Sequence, residues 1–315
     1  MDKEFEIIKK YFAPLANNQE SLNLQNDAAF FKDKKLVIST DMMVEGKHFN
    51  KDDRPEEISR KLLRINLSDI AAMGATPYGF FLNIALPKSK SSKWLKRFIS
   101  GLNADMLRYK IKLFGGDLSE STKVFLSVTI LGKTESACHT KNFAKNGSKI
   151  FVSGNIGDAP LGFVLTKNNN FLCSQKTKDF LISRFKLPEP KINLGKKILN
   201  QADFCTDISD GLLREMLLIS NQSNLQANIF LDKIPLSLSA KEILNKNNKQ
   251  KVWEVILSGG EDYELLFSFT SNDFRSYKKG ENITNIGFFS AGKGIRILDS
   301  QGNEFKVKNF GFNHF

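Results

Sequence analysis

Apolar residues recur along the chain with two different spacings, and together these spacings predict a mixed α/β fold. Short apolar runs rich in β-branched and aromatic residues are typical of buried strands. They predict strands at residues 36–38, 80–86, 111–117, 124–132, 149–153 and 265–267. Longer segments with apolar residues three and four positions apart predict helices at 1–20, 53–74 and 94–109, and others that begin at 158 and 212.

The segment 53–74 has the clearest helical pattern. Asp53 can cap its first turn, and Gly74 is typical of the position after a helix end. Its apolar face runs through Ile58 and Ile65 and then meets Asp69. A carboxylate on a core face costs several kcal/mol unless it is paired or binds a cation. We interpret Asp69 as a metal ligand, with a buried aspartate that accepts backbone hydrogen bonds as the alternative.

Oxygen-bearing side chains follow two of the predicted strands, and these are candidate co-ligands of Asp69. The run Ser39, Thr40 and Asp41 comes directly after the strand 36–38, and Asp117 follows two glycines after another strand. Such oxygens next to glycines suit Mg²⁺ and phosphate. Asp27, just before an apolar segment, is a further candidate. A solvated turn with a random polar mix is the alternative for each motif alone.

The second half of the chain repeats this combination of strand, glycine and carboxylate. Asp207, Ser209 and Asp210 precede a helix, so one of them is expected to be its N-cap and the other two leave free oxygens for a second Mg²⁺. The turn with Gly154 and Gly157 is read as an ordinary strand-to-helix connection. The GGED sequence at 259–262 precedes the last predicted strand.

Length and composition place the chain among ordinary globular proteins. Its 315 residues favour two domains, with a boundary in the polar segment 133–148. The chain contains no apolar run of the ~18 residues that a membrane helix requires. The three cysteines are far apart and form no CxxC pair, which predicts reduced thiols and a cytoplasmic location.

The net charge of +12 raises the possibility of a nucleic-acid-binding protein. The lysines are scattered among asparagines, however, and only residues 88–93 (KSKSSK) form a basic run. This distribution favours solvated loops over a recognition surface, so no nucleic-acid partner and no membrane partner are predicted. A basic surface would still favour phosphorylated small substrates.

Eight motifs, taken together in their order and spacing, resemble those of the thiamine-monophosphate kinase family in the PurM-like ATP-dependent superfamily. They are NDAAF, STDMMVEGKHF, NLSDIAAMGATP, the GGD turn, VSGNIGD, DISDGLL, LSGGEDYELLF and GFNHF. Each motif alone is weak, but the set covers nearly the whole chain. Enzymes of the AIR synthase and selenophosphate synthetase types share the layout and remain the alternative.

The resemblance implies a two-domain PurM-like α/β (α+β) fold, with domains at 1–140 and 141–315. It implies a homodimer formed through the N-terminal sheet. It also implies a kinase that transfers the ATP γ-phosphoryl group to thiamine monophosphate with Mg²⁺. The implied metal ligands are Asp27, Ser39, Thr40, Asp41, Asp69, Asp117, Asp207 and Asp210. The implied ATP contacts are Gly116, Asp117, Lys141 and Ser209, and the implied substrate contacts are His48, Glu261 and Phe312.

Three positions depart from the family's usual pattern. Lys141 stands where the family usually has arginine, so a bidentate phosphate clamp becomes a point charge. Asn26 stands where an aspartate is usual, and Phe312 replaces a larger tryptophan or tyrosine ring. These changes bear on affinity rather than on the class of reaction.

Overall fold

The protein is described by a computed structural model, which covers residues 6–135, 137–141, 144–167, 171–270, 282–308 and 310–311. Two β-sheets form its framework, which confirms the mixed α/β class. The first sheet has the strand order β1–β2–β5–β3–β4 and is antiparallel except where β3 pairs with β4. Its strands are β1 (Ala29–Phe31), β2 (Leu36–Val44), β3 (Thr76–Leu86), β4 (Lys112–Glu120) and β5 (Phe125–Lys133).

The second sheet is built from the C-terminal half of the chain and has the order β11–β8–β10–β6–β9–β7. Only the pair of β11 with β8 is parallel among its described strands. The strands are β6 (Lys149–Ser153), β7 (Phe204–Asp207), β8 (Leu225–Phe230), β9 (Leu265–Phe269), β10 (Ile283–Ala291) and β11 (Gly294–Leu298).

The helices of the described chain cover these sheets and connect them. They are α1 (Pro55–Ala72), α2 (Ser92–Tyr109), α3 (Asp158–Thr166), α4 (Gln175–Lys186), α5 (Ile192–Ile198), α6 (Leu212–Ser223), α7 (Leu238–Lys246) and α8 (Lys249–Ser258). Helix α1 packs on β2 and β5 of the first sheet and on β7 of the second, so it lies between the two. Among the described helices, none combines the length and apolar character that crossing a bilayer requires.

Strand β2 is longer than the prediction, because it continues through the polar residues to Val44. Its register with β5 is unbroken from Leu36 opposite Lys133 to Val44 opposite Phe125. Successive side chains of a strand point to opposite faces. Ser39 and Asp41 therefore share the helix-covered face, whereas the exposed Thr40 lies on the open face. The polar residues were read as a strand end, but the uncovered face accommodates Thr40, and hydrogen bonds to Asp69 and Asn66 of α1 accommodate Ser39 and Asp41 within the strand.

The GGD sequence also lies inside a strand rather than at its end, since β4 continues to Glu120. Strand β4 is at the edge of the sheet, and Asp117 pairs there with Asn83 of β3. A Cβ on Gly116 would lie 1.8 Å from the carbonyl oxygen of Leu82. Gly116 is thus required for close approach of two strands, which sequence alone does not distinguish from a turn glycine.

Three helix predictions need correction. The helix predicted at 1–20 is helical among described residues from 6 to 15, and it ends where Ala16 leaves the helical conformation, well before residue 20. Helix α1 is confirmed, but Arg54 precedes its first residue, and the Asp53 carboxylate accepts from Asn50 N–H instead. The residue before α6 is Gly211, so none of the three candidate N-caps serves as one.

The segment between the two sheets is held by a buried histidine. His139 N–H donates to Met73 O at 3.2 Å, and His139 Nε2 lies 2.9 Å from Gly195 O. Burial lowers the pKa of His139 to about 4, because the charged imidazolium would lose its hydration, while the hydrogen bond to Gly195 opposes this shift.

Because its pKa is lowered in the folded state, His139 is expected to reduce the stability of the protein at mildly acidic pH. The unfolded chain binds a proton on His139 near pH 6.5, whereas the folded chain does so only near pH 4. Neutral His139 therefore contributes fully to the free energy of unfolding above pH 6.5. This contribution is lost as the pH falls to 4, and the loss amounts to at most about 3 kcal/mol. In urea denaturation at pH 7 and pH 5, His139→Gln should show a smaller difference than the wild type. Equal differences in the two proteins would refute this assignment.

Candidate functional site

Three carboxylates meet where the first sheet, helix α1 and the second sheet come together. Asp27 precedes β1, Asp69 is in the last turn of α1, and Asp207 ends β7. One oxygen from each carboxylate lies within 4.8 Å of the others. Residues far apart in sequence thus form one acidic cluster, defined here as Asp27, Asp69 and Asp207.

Hydroxyl groups fix the orientation of each carboxylate in the acidic cluster. Ser39 donates to Asp69 Oδ2 at 2.5 Å, and Ser68 donates to Asp207 Oδ2 at 2.6 Å. Thr206 Oγ1 lies 3.2 Å from Asp27 Oδ1. Asp27 Oδ2 is buried and has no hydrogen-bond partner among the described residues. A buried carboxylate oxygen without a donor is costly unless a ligand satisfies it.

The carboxylates of the cluster make each other costly to ionise. Burial, and then the charges of Asp41, Asp207 and Asp27, raise the pKa of Asp69 well above its ordinary value. Burial and the charge of Asp27 likewise raise the pKa of Asp207. A cation bound among them would relieve both the desolvation and the repulsion.

The donor set of the cluster fits a hard divalent cation. Carboxylate and hydroxyl oxygens are the ligands that Mg²⁺ and Ca²⁺ prefer, and the cluster together with Ser39 supplies both. The unsatisfied oxygen of Asp27 gives such an ion a ready ligand.

A buried ammonium adjoins the acidic cluster. Lys141 Nζ lies 2.5 Å from Asp27 Oδ1 and 3.2 Å from Glu215 Oε2. Burial alone would lower the pKa of Lys141, but the two carboxylates raise it above its ordinary value. Lys141 is therefore charged at any physiological pH and offsets part of the cluster's negative charge.

Asp41 and Ser39 adjoin the acidic cluster, but Thr40, Gly116 and Asp117, which were also predicted from the first sheet, do not. Asp41 N–H donates to Asn66 Oδ1 at 3.0 Å, and the Asp41 charge contributes to the raised pKa of Asp69. The Thr40 hydroxyl donates to Val128 O on the open face. Gly116 and Asp117 lie on β4, three strands from β2 and thus roughly 14 Å away.

The segment between β7 and α6 contacts the loop that precedes β9. Ser209 O accepts from Glu261 N–H at 2.7 Å. The Asp210 carboxylate lies 3.3 Å from Arg214 Nη1, one helical turn further along. The hydrogen bond between Glu261 and Ser209 places the predicted ATP contact Ser209 beside the predicted substrate contact Glu261.

Of the predicted substrate contacts, His48 and Glu261 are joined by one lysine. Lys61 Nζ lies 2.6 Å from Glu261 Oε2 and 3.4 Å from His48 O. His48 Nδ1 accepts from Val44 N–H at 3.0 Å, which fixes the ring beside the end of β2. The third predicted contact, Phe312, lies outside the described residues.

Comparisons with known proteins show the family to which the chain belongs. Residues 25–134 match the family model described as AIR synthase related protein, N-terminal domain. A thiamine-monophosphate kinase of Buchnera aphidicola subsp. Schizaphis graminum is 36% identical, over 99% of this chain and 98% of that protein. The chain belongs to the thiamine-monophosphate kinase family. Another thiamine-monophosphate kinase, from Caulobacter vibrioides, is 32% identical over 93% of this chain and 85% of its own.

A solved structure in the thiamine-monophosphate kinase family has the same fold. The complex of AaThiL with AMPPCP and TMP aligns with a TM-score of 0.86 and 29% identity, over 99% of this chain and 97% of that one. This agreement confirms the PurM-like fold, and it favours the kinase family over the AIR synthase and selenophosphate synthetase alternatives.

Three buried residues of this thiamine-monophosphate kinase family member were missed by the sequence reasoning. Ser68 adjoins Asp69 and had no pattern of its own. Glu215 lies in the first turn of α6, where an acidic residue normally complements the helix dipole. Lys61 could have been found, because it lies three residues after Ile58 and four before Ile65 on the apolar face of α1. A cation on that face is as unexpected as Asp69.

Proposed function

We propose that the chain is an Mg²⁺-dependent thiamine-monophosphate kinase. It transfers the γ-phosphoryl group of ATP directly, in line, to the phosphate of thiamine monophosphate, giving thiamine diphosphate and ADP. One observation carries the proposal: carboxylates from both halves of the chain converge within 4.8 Å, in a chain whose relatives are thiamine-monophosphate kinases. The structural relative bound to the ATP analogue AMPPCP and to TMP supports the choice of substrates.

The proposed Mg²⁺ ligands are the oxygens of the acidic cluster and of its neighbours. Thr40 would contribute only its backbone carbonyl, because its side chain lies on the open face of the first sheet, away from the acidic cluster. When bound, the ions neutralise the negative charge of the phosphates and of the transferring phosphoryl group. The full proposed set is Asp27, Ser39, Thr40, Asp41, Asp69, Asp117, Asp207 and Asp210, of which Asp117 is remote from the acidic cluster and would bind a separate ion.

The reaction does not depend on a strong general base in this chain. The acceptor is a phosphate oxygen that is already ionised at neutral pH. Catalysis therefore depends on bringing two anions together and holding them in line. Lys141 is the proposed phosphate contact, because its buried ammonium is charged and adjoins the acidic cluster. Gly116, Asp117 and Ser209 complete the proposed ATP contacts.

The spacing of Lys61 and Asp69 along helix α1 suits a substrate whose two ends bind at separate places. Lys61, which pairs with Glu261, precedes Asp69 by eight residues, or roughly 12 Å along the helix. A molecule with a phosphate at one end and a ring system at the other spans that distance. In the proposal the phosphate lies at the acidic cluster, and the rings contact His48, Glu261 and Phe312.

The homodimer belongs to the same proposal, and the open face of the first sheet supports it. Met42, Phe81 and Phe125 are between 41% and 59% exposed there. A contiguous exposed apolar face of this kind marks an interaction site. Light scattering should give about twice the chain mass of 35.6 kDa, and a monomer at micromolar concentration would contradict the dimer.

Two further predictions from sequence remain part of the proposal. The division into domains at residues 140 and 141 accords with the separate sheets that end at Lys133 and begin at Lys149. The cytoplasmic location rests on the cysteines, of which Cys205 is buried and unpaired.

Product analysis tests the reaction directly. The purified chain is incubated with ATP, Mg²⁺ and thiamine monophosphate, and thiamine diphosphate and ADP are quantified by chromatography. The proposal expects the two products in equal amounts, and none without Mg²⁺. Consumption of ATP without thiamine diphosphate would contradict it. A panel that includes formyl and amide acceptors would then test the AIR synthase alternative.

A further inference from the structure

We propose that Lys61 is a positioning residue, which holds the Glu261 carboxylate in the orientation that accepts the amino group of the substrate's pyrimidine ring. This inference rests on the proposed function and extends it to a residue outside the predicted site. The motif comparison gave Lys61 no role, and the structure places its ammonium between two predicted substrate contacts.

The Lys61 side chain is buried and its ammonium has three contacts from three parts of the chain. The residue is 3% exposed. Its Nζ lies 2.6 Å from Glu261 Oε2, 3.4 Å from His48 O and 3.6 Å from the centre of the Phe185 ring. A buried ammonium needs such partners because it has lost its hydration. The three contacts hold the side chain in one position on α1.

The backbone fixes where the Glu261 side chain begins, and Lys61 fixes where it ends. Glu261 has a φ of +77°, a left-handed conformation that non-glycine residues rarely adopt. Its N–H donates to Ser209 O at 2.7 Å, which holds this conformation. The side chain then extends to Lys61. Without the ammonium, the carboxylate could rotate toward water.

The ion pair leaves part of Glu261 available to a ligand. Oε2 is buried against Lys61, while the side chain as a whole is 25% exposed, so the exposed part comes from its other atoms. The Lys61–Glu261 pair carries no net charge. It therefore binds a ligand through the orientation of the carboxylate as a hydrogen-bond acceptor, rather than through charge attraction. An aminopyrimidine donates an N–H to such an acceptor, and a fixed acceptor binds it more tightly than a mobile one.

Lys61→Met tests the inference, because methionine keeps most of the side-chain volume and removes the ammonium. We expect KM for thiamine monophosphate to rise about tenfold, with kcat and KM for ATP changed less than about threefold. Direct calorimetric titration of thiamine monophosphate without ATP should weaken by the same factor. An unchanged KM for thiamine monophosphate, or an equal rise for both substrates, would overturn the proposal.

A double-mutant cycle separates positioning from general structural support. If Lys61 acts through Glu261, then adding Lys61→Met to Glu261→Gln should change KM for thiamine monophosphate less than about twofold. If the two effects multiply, Lys61 acts independently of Glu261 and the proposal is wrong. Thermal unfolding of each variant is measured in parallel, so that a loss of folded protein is not counted as a change in KM.

A milder variant and a matched control complete the test. Phe185→Leu removes the ring beneath the ammonium while Lys61 remains, so KM for thiamine monophosphate should rise about two- to fivefold. Phe185→Leu also tests the proposal if Lys61→Met does not fold. In that case an unchanged KM for thiamine monophosphate in Phe185→Leu would refute the positioning role of Lys61. Lys186→Met removes the neighbouring ammonium, which pairs with Asp53 and Glu57, and should leave KM within about twofold.

The wild-type assay distinguishes this inference from the proposed function. If the wild type forms no thiamine diphosphate, the proposed function fails, and the inference about Lys61 fails with it. If the wild type forms thiamine diphosphate and Lys61→Met has the wild-type KM, only the role of Lys61 is refuted.

Discussion

Asp69→Asn is expected to lower kcat by at least about a hundredfold at saturating Mg²⁺. The substitution keeps the side-chain volume and removes one charge from the centre of the acidic cluster. The same variant should unfold at a higher temperature than the wild type without divalent cations, because burial and three neighbouring carboxylates raise the pKa of Asp69. Activity and stability thus change in opposite directions, which simple damage to the fold would not produce.

The pH dependence of stability gives the same prediction a second measurement. Because the pKa of Asp69 is raised in the folded state, its favourable contribution exists below the ordinary pKa of 3.8 and is lost as the pH rises through the raised value. Without divalent cations, the melting temperature of Asp69→Asn should therefore fall less than that of the wild type as the pH rises. Asp179→Asn, at an exposed position of α4, is the control and should resemble the wild type. Near-full turnover in Asp69→Asn would refute the metal role.

Lys141→Met is expected to destabilise the protein by about 3–5 kcal/mol at pH 7 without divalent cations, since it leaves buried carboxylates without their partner. Lys141 Nζ lies 2.5 Å from Asp27 and 3.2 Å from Glu215, and Glu215 is itself buried. Urea denaturation measures the change. Added Mg²⁺ should recover part of the loss, because a cation then compensates the same carboxylates.

Two control variants define how the Lys141 result is read. Lys141→Arg keeps the charge and should lose much less stability than Lys141→Met. Lys145→Met removes a lysine that is 63% exposed and pairs with Asp203, so it should change stability by less than about 1 kcal/mol. If Lys141→Met were as stable as the wild type, the ammonium would not be the partner that the buried carboxylates require.

The periodicity of the sequence predicted most elements of the first half of the chain, because the core faces repeat regularly, but it missed four strands and four helices of the second half. Helix α1 was predicted within two residues at each end. The ends of β2 and β4 were predicted wrongly, since a polar residue or glycine looks the same at a strand end and on an open strand face. Only the pairing with a neighbouring strand separates these cases.

The acidic cluster could be predicted only in part. Asp69 was found because a carboxylate interrupts an apolar helical face. Its meeting with Asp207, which is 138 residues further along the chain, depends on α1 packing against β7. No local pattern reports that contact. From its own residues Asp207 was therefore predicted only as a candidate for a second, separate Mg²⁺ site, while its partner Ser68 was missed.

The charged pairs inside the protein were the hardest to predict. Glu215 resembles an ordinary residue of a first helical turn, and its pairing with Lys141 is a tertiary contact across 74 residues. Lys61 differs, because its position on the apolar face of α1 was visible. The general lysine richness of the chain concealed it.

The central claim is that acidic side chains from both halves of the chain bind divalent cations that hold two anionic ligands end to end. The most direct test is a crystal structure with AMPPCP, thiamine monophosphate and Mn²⁺, in which anomalous scattering locates the metal. The account predicts Mn²⁺ peaks at bonding distance, about 2 to 2.5 Å, from oxygens of Asp27, Asp69 and Asp207. Bound nucleotide with Mn²⁺ that contacts none of these three carboxylates would contradict it.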